Sequence, residues 1–303
     1  MKLVSIIVVS YNSSATILET LESIYAQEYA EIELIITDDR SVDNTCEIVH
    51  EWCDKKGKRF SKCKVIEGDT NLGVSGNANR GLRQAEGFYL KMIDGDDCLT
   101  PNCITDCVKF LEERHDEIVI SKVTAFGENK QRVSFMQSII NGGYKTLQCS
   151  PKKQFYKMLD CSYYISPIQV FMTRKTMNDL GGFDERFPMM EDYPYQIKVF
   201  TENMKLSFLD SETGRYRISE NSLCQAFSDA YLQSWIDYFY LVKRQLLLKH
   251  HRYINFLEQT VFCYTTKMKL RYGEQDPRYQ RSRLLFFLMP SLLIKGAKSH
   301  TKA

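Results

Sequence analysis

Carboxylates crowd one short stretch, "YLKMIDGDDCLTP" (Tyr89–Pro101), where an apolar, strand-like run ends and Asp94, Asp96 and Asp97 follow within four positions. Asp94 and Asp96 are two residues apart. On an extended segment they face the same side and reach one point beyond the strand end. Two carboxylates held that close repel each other unless a cation sits between them. Magnesium or manganese suits such a pair, because these ions take oxygen ligands and complete their shell with water and substrate phosphate. The competing reading is a solvated turn whose aspartates cap the next helix, with Asp97 the candidate cap. A second acidic pair, Glu191–Asp192 in "GGFDERFPMMEDYPYQIKV", reads equally as an acidic first turn of a helix through Ile197, favoured by the helix dipole.

The elements that must position these groups alternate in type. Leu3–Val9 is a continuous β-rich run suited to a strand covered on both faces. After Ser13 and Ser14, candidate N-caps, Ile17, Leu18, Leu21, Ile24 and Tyr25 recur at helical spacing. The pattern then predicts a strand at 32–37, a helix at 43–55, a strand at 63–67, a helix at 75–86, a strand at 88–93, a helix opened by Pro101, and a strand at 117–123. Such alternation implies an α/β fold, a parallel sheet with helices on both faces, whose ligand sits beyond the carboxyl ends of the strands. "SYN" (Ser10–Asn12), "DDRS" (Asp38–Ser41) and "DGDD" (Asp94–Asp97) each follow a strand, so all three belong on one rim. From Phe126 to Phe155 the pattern is weak and reads as loops or a mobile insert. Helical periodicity returns after Ala230.

Composition narrows the class. The 303 residues are 44% apolar without low-complexity tracts, enough for a packed core. Net charge is only +2, yet 13 of the 40 Lys and Arg but 3 of the 38 Asp and Glu lie from Leu241 onward. A basic end on an acidic body points to an anionic partner, membrane surface or nucleic acid. The absence of any nucleic-acid-binding motif argues against the latter. The ten cysteines form no C-x-x-C pair and no zinc pattern, and read as reduced structural thiols of a cytoplasmic protein. The apolar start, "MKLVSIIVVSYNSS", is too short for a signal peptide or spanning helix.

Four segments in order, "VSIIVVSYNSSATILETLESIYAQ", "ELIITDDRSVDNT", "NLGVSGNANRGLRQAEGFYLKMIDGDD" and "LGGFDERFPMMEDYPYQIKV", resemble the family 2 glycosyltransferases of bacterial polysaccharide synthesis over roughly residues 3–220. The resemblance implies a GT-A nucleotide-diphospho-sugar fold for 1–225, followed by a helical, basic and aromatic region at 226–303. It implies that Val9, Ser10 and Tyr11 cradle the base of a nucleotide-sugar, that Asp39 accepts a hydrogen bond from it, and that Gly73 lines the nucleotide pocket. A carboxylate reading an imide N–H and a ring stacking on a base agree with that assignment. By the same carry-over Asp94 faces the ribose and the metal, Asp96 binds the Mn2+ or Mg2+, Asp192 removes the acceptor proton in an inverting displacement, and Glu191 supports the acceptor pocket. One departure is that Ser219 stands where many relatives carry a metal-binding histidine, and a hydroxyl is a poorer ligand.

The resemblance also implies a UDP-sugar donor and a glycan or lipid-linked acceptor. The alternative from another class is a catalytically silent nucleotide-sugar-binding or scaffold protein with the same fold. Leu284–Ile294, apolar and flanked by Arg281, Arg283, Lys295 and Lys298, reads either as an interfacial segment on the inner face of an anionic membrane or as a helix packed on protein. Nothing in the sequence sets an oligomeric state.

Overall fold

The computed structural model describes residues 1–160, 165–219 and 228–285. The chain divides into two compact units, Met1–Ser222 and Leu223–Ala303. In the first, strands β1 (Val4–Ser10), β2 (Ile32–Asp38), β3 (Lys62–Glu67) and β4 (Tyr89–Asp94) alternate with helices α1 (Ile17–Tyr25), α2 (Thr45–Lys56) and α3 (Gly73–Leu82). Every residue of β1 and β2 is buried, as expected of apolar strands covered on both faces. Strand β5 (Cys98–Leu99), helix α4 (Cys103–Arg114) and strand β6 (Ile118–Phe126) follow. Helices α5 (Lys130–Leu147) and α6 (Pro151–Leu159), strand β7 (Val170–Thr173), helices α7 (Arg174–Asp179) and α8 (Asp192–Thr201), and strand β8 (Ser207–Arg217) complete the unit.

The eight strands form one sheet in the order β3-β2-β1-β4-β7-β6-β8-β5. Neighbours from β3 to β4 pair in parallel, whereas β7 is antiparallel to both β4 and β6, and β5 is antiparallel to β8. The sheet is therefore mixed: the first four strands run parallel to one another, and β6 and β8 also pair in parallel. Pairing of Ser10 with Asp38 and of Val9 with Asp94 brings the three polar clusters to a common edge.

Several local expectations give way. The stretch read as loops is largely helical in α5 and α6. The buried residues of α5 crowd its C-terminal half (Ile140, Gly143, Tyr144, Thr146, Leu147), so its N-terminal turns show no apolar stripe. The helix after Pro101 begins at Cys103 behind Asn102, and Thr16, not Ser13 or Ser14, precedes α1. Asp97 does not cap α4. Its carboxylate accepts a hydrogen bond from the Arg217 N–H at 2.8 Å, tying the end of β8 to the rim.

The second unit is helical over Asp229–Tyr238, one π-helical turn at Phe239–Lys243, Arg244–Lys249, Tyr253–Tyr272 and Pro277–Arg283. No helix among the described residues is long and apolar enough to cross a membrane. Most of Leu284–Ile294 lies outside the described residues.

Candidate active site

Each carboxylate at the rim is positioned by a strand end. β1 ends in the buried Val9 and Ser10, and the turn after it carries Tyr11. Val9 O accepts from Gly95 N–H at 2.9 Å and Ser10 O from Asp39 N–H at 3.0 Å, so β1 holds both acidic turns by its last carbonyls. Tyr11 is half exposed beside them. Thr16 Oγ1 donates to Gly95 O at 2.9 Å and fixes the second turn from its other side.

Asp38 and Asp39 are buried, and donors surround both. Asp38 accepts from Ser10 Oγ (3.0 Å), Ser41 N (2.7 Å) and Ser41 Oγ (2.6 Å). Asp39 accepts from the main-chain N–H groups of Leu72 (2.9 Å) and Gly73 (2.8 Å), with the Arg80 guanidinium 3.4 Å away. Asp39 therefore holds the entry of α3 through both of its carboxylate oxygens. Gly73 adopts φ +74°, and an added Cβ would meet Pro188 O at 2.5 Å, so only glycine fits. Its close approach is to the segment before Glu191 rather than to open space. Ser75 reinforces that junction, donating from N to Pro188 O (3.1 Å) and from Oγ to Phe187 O (2.8 Å). One continuous set of contacts thus runs from Asp39 through Gly73 to the segment carrying Glu191 and Asp192.

Residues Asp94, Asp96, Asp97, Glu191 and Asp192 are treated differently by their surroundings. Asp94 ends β4, and a turn closed by Asp97 N–H on Asp94 O (3.1 Å) carries Asp96, so a tight turn and not strand alternation brings the pair together. Burial, and then the charges of Asp96 and Asp192, push the Asp94 carboxyl up to about 7. Burial raises Asp96 too, partly opposed by the Arg217 guanidinium. Burial followed by the charges of Asp192 and Asp94 holds Glu191 well above the ordinary carboxylate range. Asp192, the first residue of α8, is pushed up to about 6 by burial, which the Tyr193 N–H on its Oδ1 (2.6 Å) opposes. The burial has a visible source, an apolar hollow lined by Leu90, Met92, Val170, Met172 and Phe183 against which Glu191 and Asp192 sit. Asp94, Asp96 and Asp192 nonetheless keep part of their surface open to solvent.

The donor set matches a divalent cation in its chemistry: Asp94 and Asp96 are crowded oxygen ligands whose repulsion a cation would relieve. Among the described residues no three His, Cys, Asp or Glu side chains come together to hold a metal by themselves, so substrate oxygens and water would supply the remaining ligands. Ser219 follows the end of β8 and is partly exposed, whereas the residues after it lie outside the described ones.

Sequence reasoning passed over three residues that hold the site. Asn77 Nδ2 donates to Ser10 O (3.2 Å) and Thr37 O (3.0 Å). Arg80 donates to Asp38 O (3.1 Å) and to Asn77 Oδ1 (2.8 Å). Arg217 Nε donates to Asp96 O at 2.6 Å. The i, i+3 spacing of Asn77 and Arg80 from the middle of α3 onward was a usable signal. Arg217, 120 residues from the turn it braces, carried none.

The model of the family described as "Glycosyl transferase family 2" matches residues 5–177. Poly(ribitol-phosphate) beta-N-acetylglucosaminyltransferase TarS of Staphylococcus aureus is 25% identical over 258 residues, covering 81% of this chain but 40% of that protein. The chain thus spans less than half the length of that relative. The Escherichia coli protein UDP-Glc:alpha-D-GlcNAc-diphosphoundecaprenol beta-1,3-glucosyltransferase WfgD is 29% identical over 229 residues, 73% of this chain and 79% of the relative. Solved structures give the same fold: TarS 1-349 in complex with UDP-GlcNAc superposes with a TM-score of 0.59 at 21% identity, covering 87% of this chain and 81% of that one. The mannosyltransferase PcManGT from Pyrobaculum calidifontis, in complex with GDP-Man and Mn2+, gives 0.62 at 16% identity, covering 97% and 82%. The sheet order, the acidic turns on one rim and the match over residues 5–177 agree: the fold is GT-A, and the chain belongs to glycosyl transferase family 2.

Proposed function

We propose that this protein transfers a sugar from a UDP-sugar to a hydroxyl of a glycan or lipid-linked oligosaccharide, with inversion, in the assembly of a bacterial surface polysaccharide. The observation that carries the reading is the meeting of Asp94, Asp96 and Asp192 at the carboxyl edge of the sheet, in a chain of this family. The donors named for TarS and WfgD, UDP-GlcNAc and UDP-Glc, support UDP as the nucleotide, and the diphosphoundecaprenol of WfgD supports a lipid-linked acceptor.

In this reading Tyr11 stacks on the uracil and Asp39 accepts from its imide N–H, while Arg80 and the Leu72 and Gly73 N–H groups keep the carboxylate oriented. Asp94 and Asp96 would hold a divalent ion, which would supply positive charge beside the diphosphate leaving group. Asp192 accepts the proton of the acceptor hydroxyl, whose oxygen bonds to the anomeric carbon on the face opposite the departing diphosphate. With its carboxyl near 6, Asp192 is ionised at neutral pH yet basic enough to take that proton. Glu191, whose charged form burial and then the charges of Asp192 and Asp94 disfavour, borders the acceptor side. An acceptor on a lipid would bring the enzyme to the inner face of the membrane.

The deciding experiment measures hydrolysis and binding across a panel of nucleotide-sugars, with and without manganese. Metal-stimulated turnover of one UDP-sugar is expected. Nucleotide binding without turnover of any donor, alone or with glycan acceptors, would leave the silent scaffold as the correct reading.

A further inference from the structure

A cleft of about 830 Å³ lies between the end of β6 and one face of α5. Lys130, Ser134, Ser138, Asn141 and Lys145 line it at spacings of four, four, three and four residues, which places them along one helical face. At the helical rise the two lysines stand about 22 Å apart. No Asp or Glu lines the cleft, and neither lysine has an ion-pair partner among the described residues. Gln137, on the same helix, is occupied with structure: its Oε1 accepts from Ala125 N–H (2.7 Å) and its Nε2 donates to Asn141 Oδ1 (3.0 Å). The hydroxyls of Ser134 and Ser138 have no hydrogen-bond partner among the described residues, and the Asn141 amide N–H groups likewise remain available.

The other wall connects to the acidic rim. The Phe126 ring lies under the guanidinium groups of Arg215 (4.2 Å) and Arg217 (4.3 Å), and Arg217 is the residue that braces Asp96. The cleft therefore starts one side chain away from the turn expected to hold the diphosphate. Free hydroxyls and amides suit sugar hydroxyls, and an unpaired ammonium at each end suits anionic groups. Carboxylates at i, i+4 would have neutralised these lysines along the helix face, and here none is present.

We propose that this cleft binds the acceptor, and that the acceptor is a sugar chain bearing negative charges, with Lys130 and Lys145 contacting anionic groups about 20 Å apart. That the ligand is an acceptor rests on the transferase reading; that the cleft takes an anionic glycan does not. The test uses the full chain and fluorescence anisotropy with three labelled probes: a hyaluronan octasaccharide (uronate), a ribitol-phosphate oligomer (phosphodiester) and maltoheptaose (neutral). At least one anionic probe is expected to bind more tightly than maltoheptaose, and to lose about tenfold in affinity in the double variant Lys130→Glu, Lys145→Glu, about a factor of three per reversed charge. The variant Lys152→Glu, Lys153→Glu makes the same charge change on α6 outside the cleft and should retain binding. Whichever anionic probe binds identifies the charged group as carboxylate or phosphate.

Binding of neither anionic probe, equal loss in the control variant, or maltoheptaose binding as tightly would overturn the proposal. UDP affinity, measured on the same proteins, separates the two questions. A parent protein that binds an anionic probe but no UDP fails as a transferase while keeping the cleft assignment. Should the charge-reversal variant lose UDP affinity through misfolding, Lys130→Gln with Lys145→Gln replaces it, with about a threefold loss expected.

Discussion

Two acidic clusters share one edge of the sheet, and their surroundings differ in kind. Asp38 and Asp39 are enclosed by donors, two hydroxyls, three main-chain N–H groups and a guanidinium, which belong to the fold itself. Glu191 and Asp192 stand against an apolar hollow, the charges of Asp96 and Asp192 act on Asp94, and burial raises all four, Asp94, Asp96, Glu191 and Asp192. The first cluster uses its charge to build the frame. The second leaves its charge uncompensated, so a ligand that brings positive charge or a proton to remove changes its energy most. A carboxylate count alone would have ranked the two alike.

The sharpest way to break that comparison is Asp192→Asn. Transfer should fall about a thousandfold while UDP affinity, read by calorimetry, stays near that of the parent. Equal loss of donor affinity would mean that Asp192 binds and does not act as base. Asp96→Asn should abolish transfer as well, but with weakened manganese-dependent UDP binding. Next in size is Asp39→Ala, which orphans the Leu72 N–H, leaves the Gly73 N–H only its 3.2 Å bond to Asn71 Oδ1, and should cost about 2 kcal/mol of stability in denaturant unfolding. Little change would place Asp39 with the uncompensated cluster.

The opposite sign is expected for Asp94→Asn. Because the Asp94 carboxyl sits near 7 in the folded protein, above its ordinary value, the native state holds a proton that the unfolded chain has released. Stability of the metal-free protein from this group should therefore fall as pH rises from about 4 to about 7 and remain low above that. Removing the charge should stabilise the metal-free protein at pH 8 by on the order of 2 kcal/mol, and should flatten the pH dependence of its melting temperature. A destabilised variant, or an unchanged pH slope, would show that the cluster is already compensated. The smallest effect is kinetic: the rate at limiting donor should decline below about pH 6 as Asp192 takes up a proton.

Much of the frame was legible along the chain. Apolar runs bounded by polar turns located β1, β2, β3 and β4 within a residue at most ends: β1, β2 and β4 are buried on both faces and leave a nearly unbroken apolar signature, while β3, an edge strand, is only half-buried. The same rule hid β7 and β5. They are short strands of four and two residues, entered by antiparallel pairing that no local pattern announces. Helix α5 escaped because a helix touching the core through a few C-terminal residues presents little periodicity. Of the site, the aspartates were visible as unusual local density and the Asn77–Arg80 pair only as an i, i+3 spacing, whereas what these two and Arg217 hold lies far along the chain.

Sequence alone determined which side chains could do chemistry and on which edge of a sheet they had to emerge, because strand–helix alternation dictates where strand ends point. Only the tertiary structure decided which carboxylates are satisfied and which are left crowded. That distinction depends on donors and apolar walls from distant segments, above all α3, β8 and the stretch before α8, and a carboxylate's energy is set by those neighbours and not by its own place in the chain.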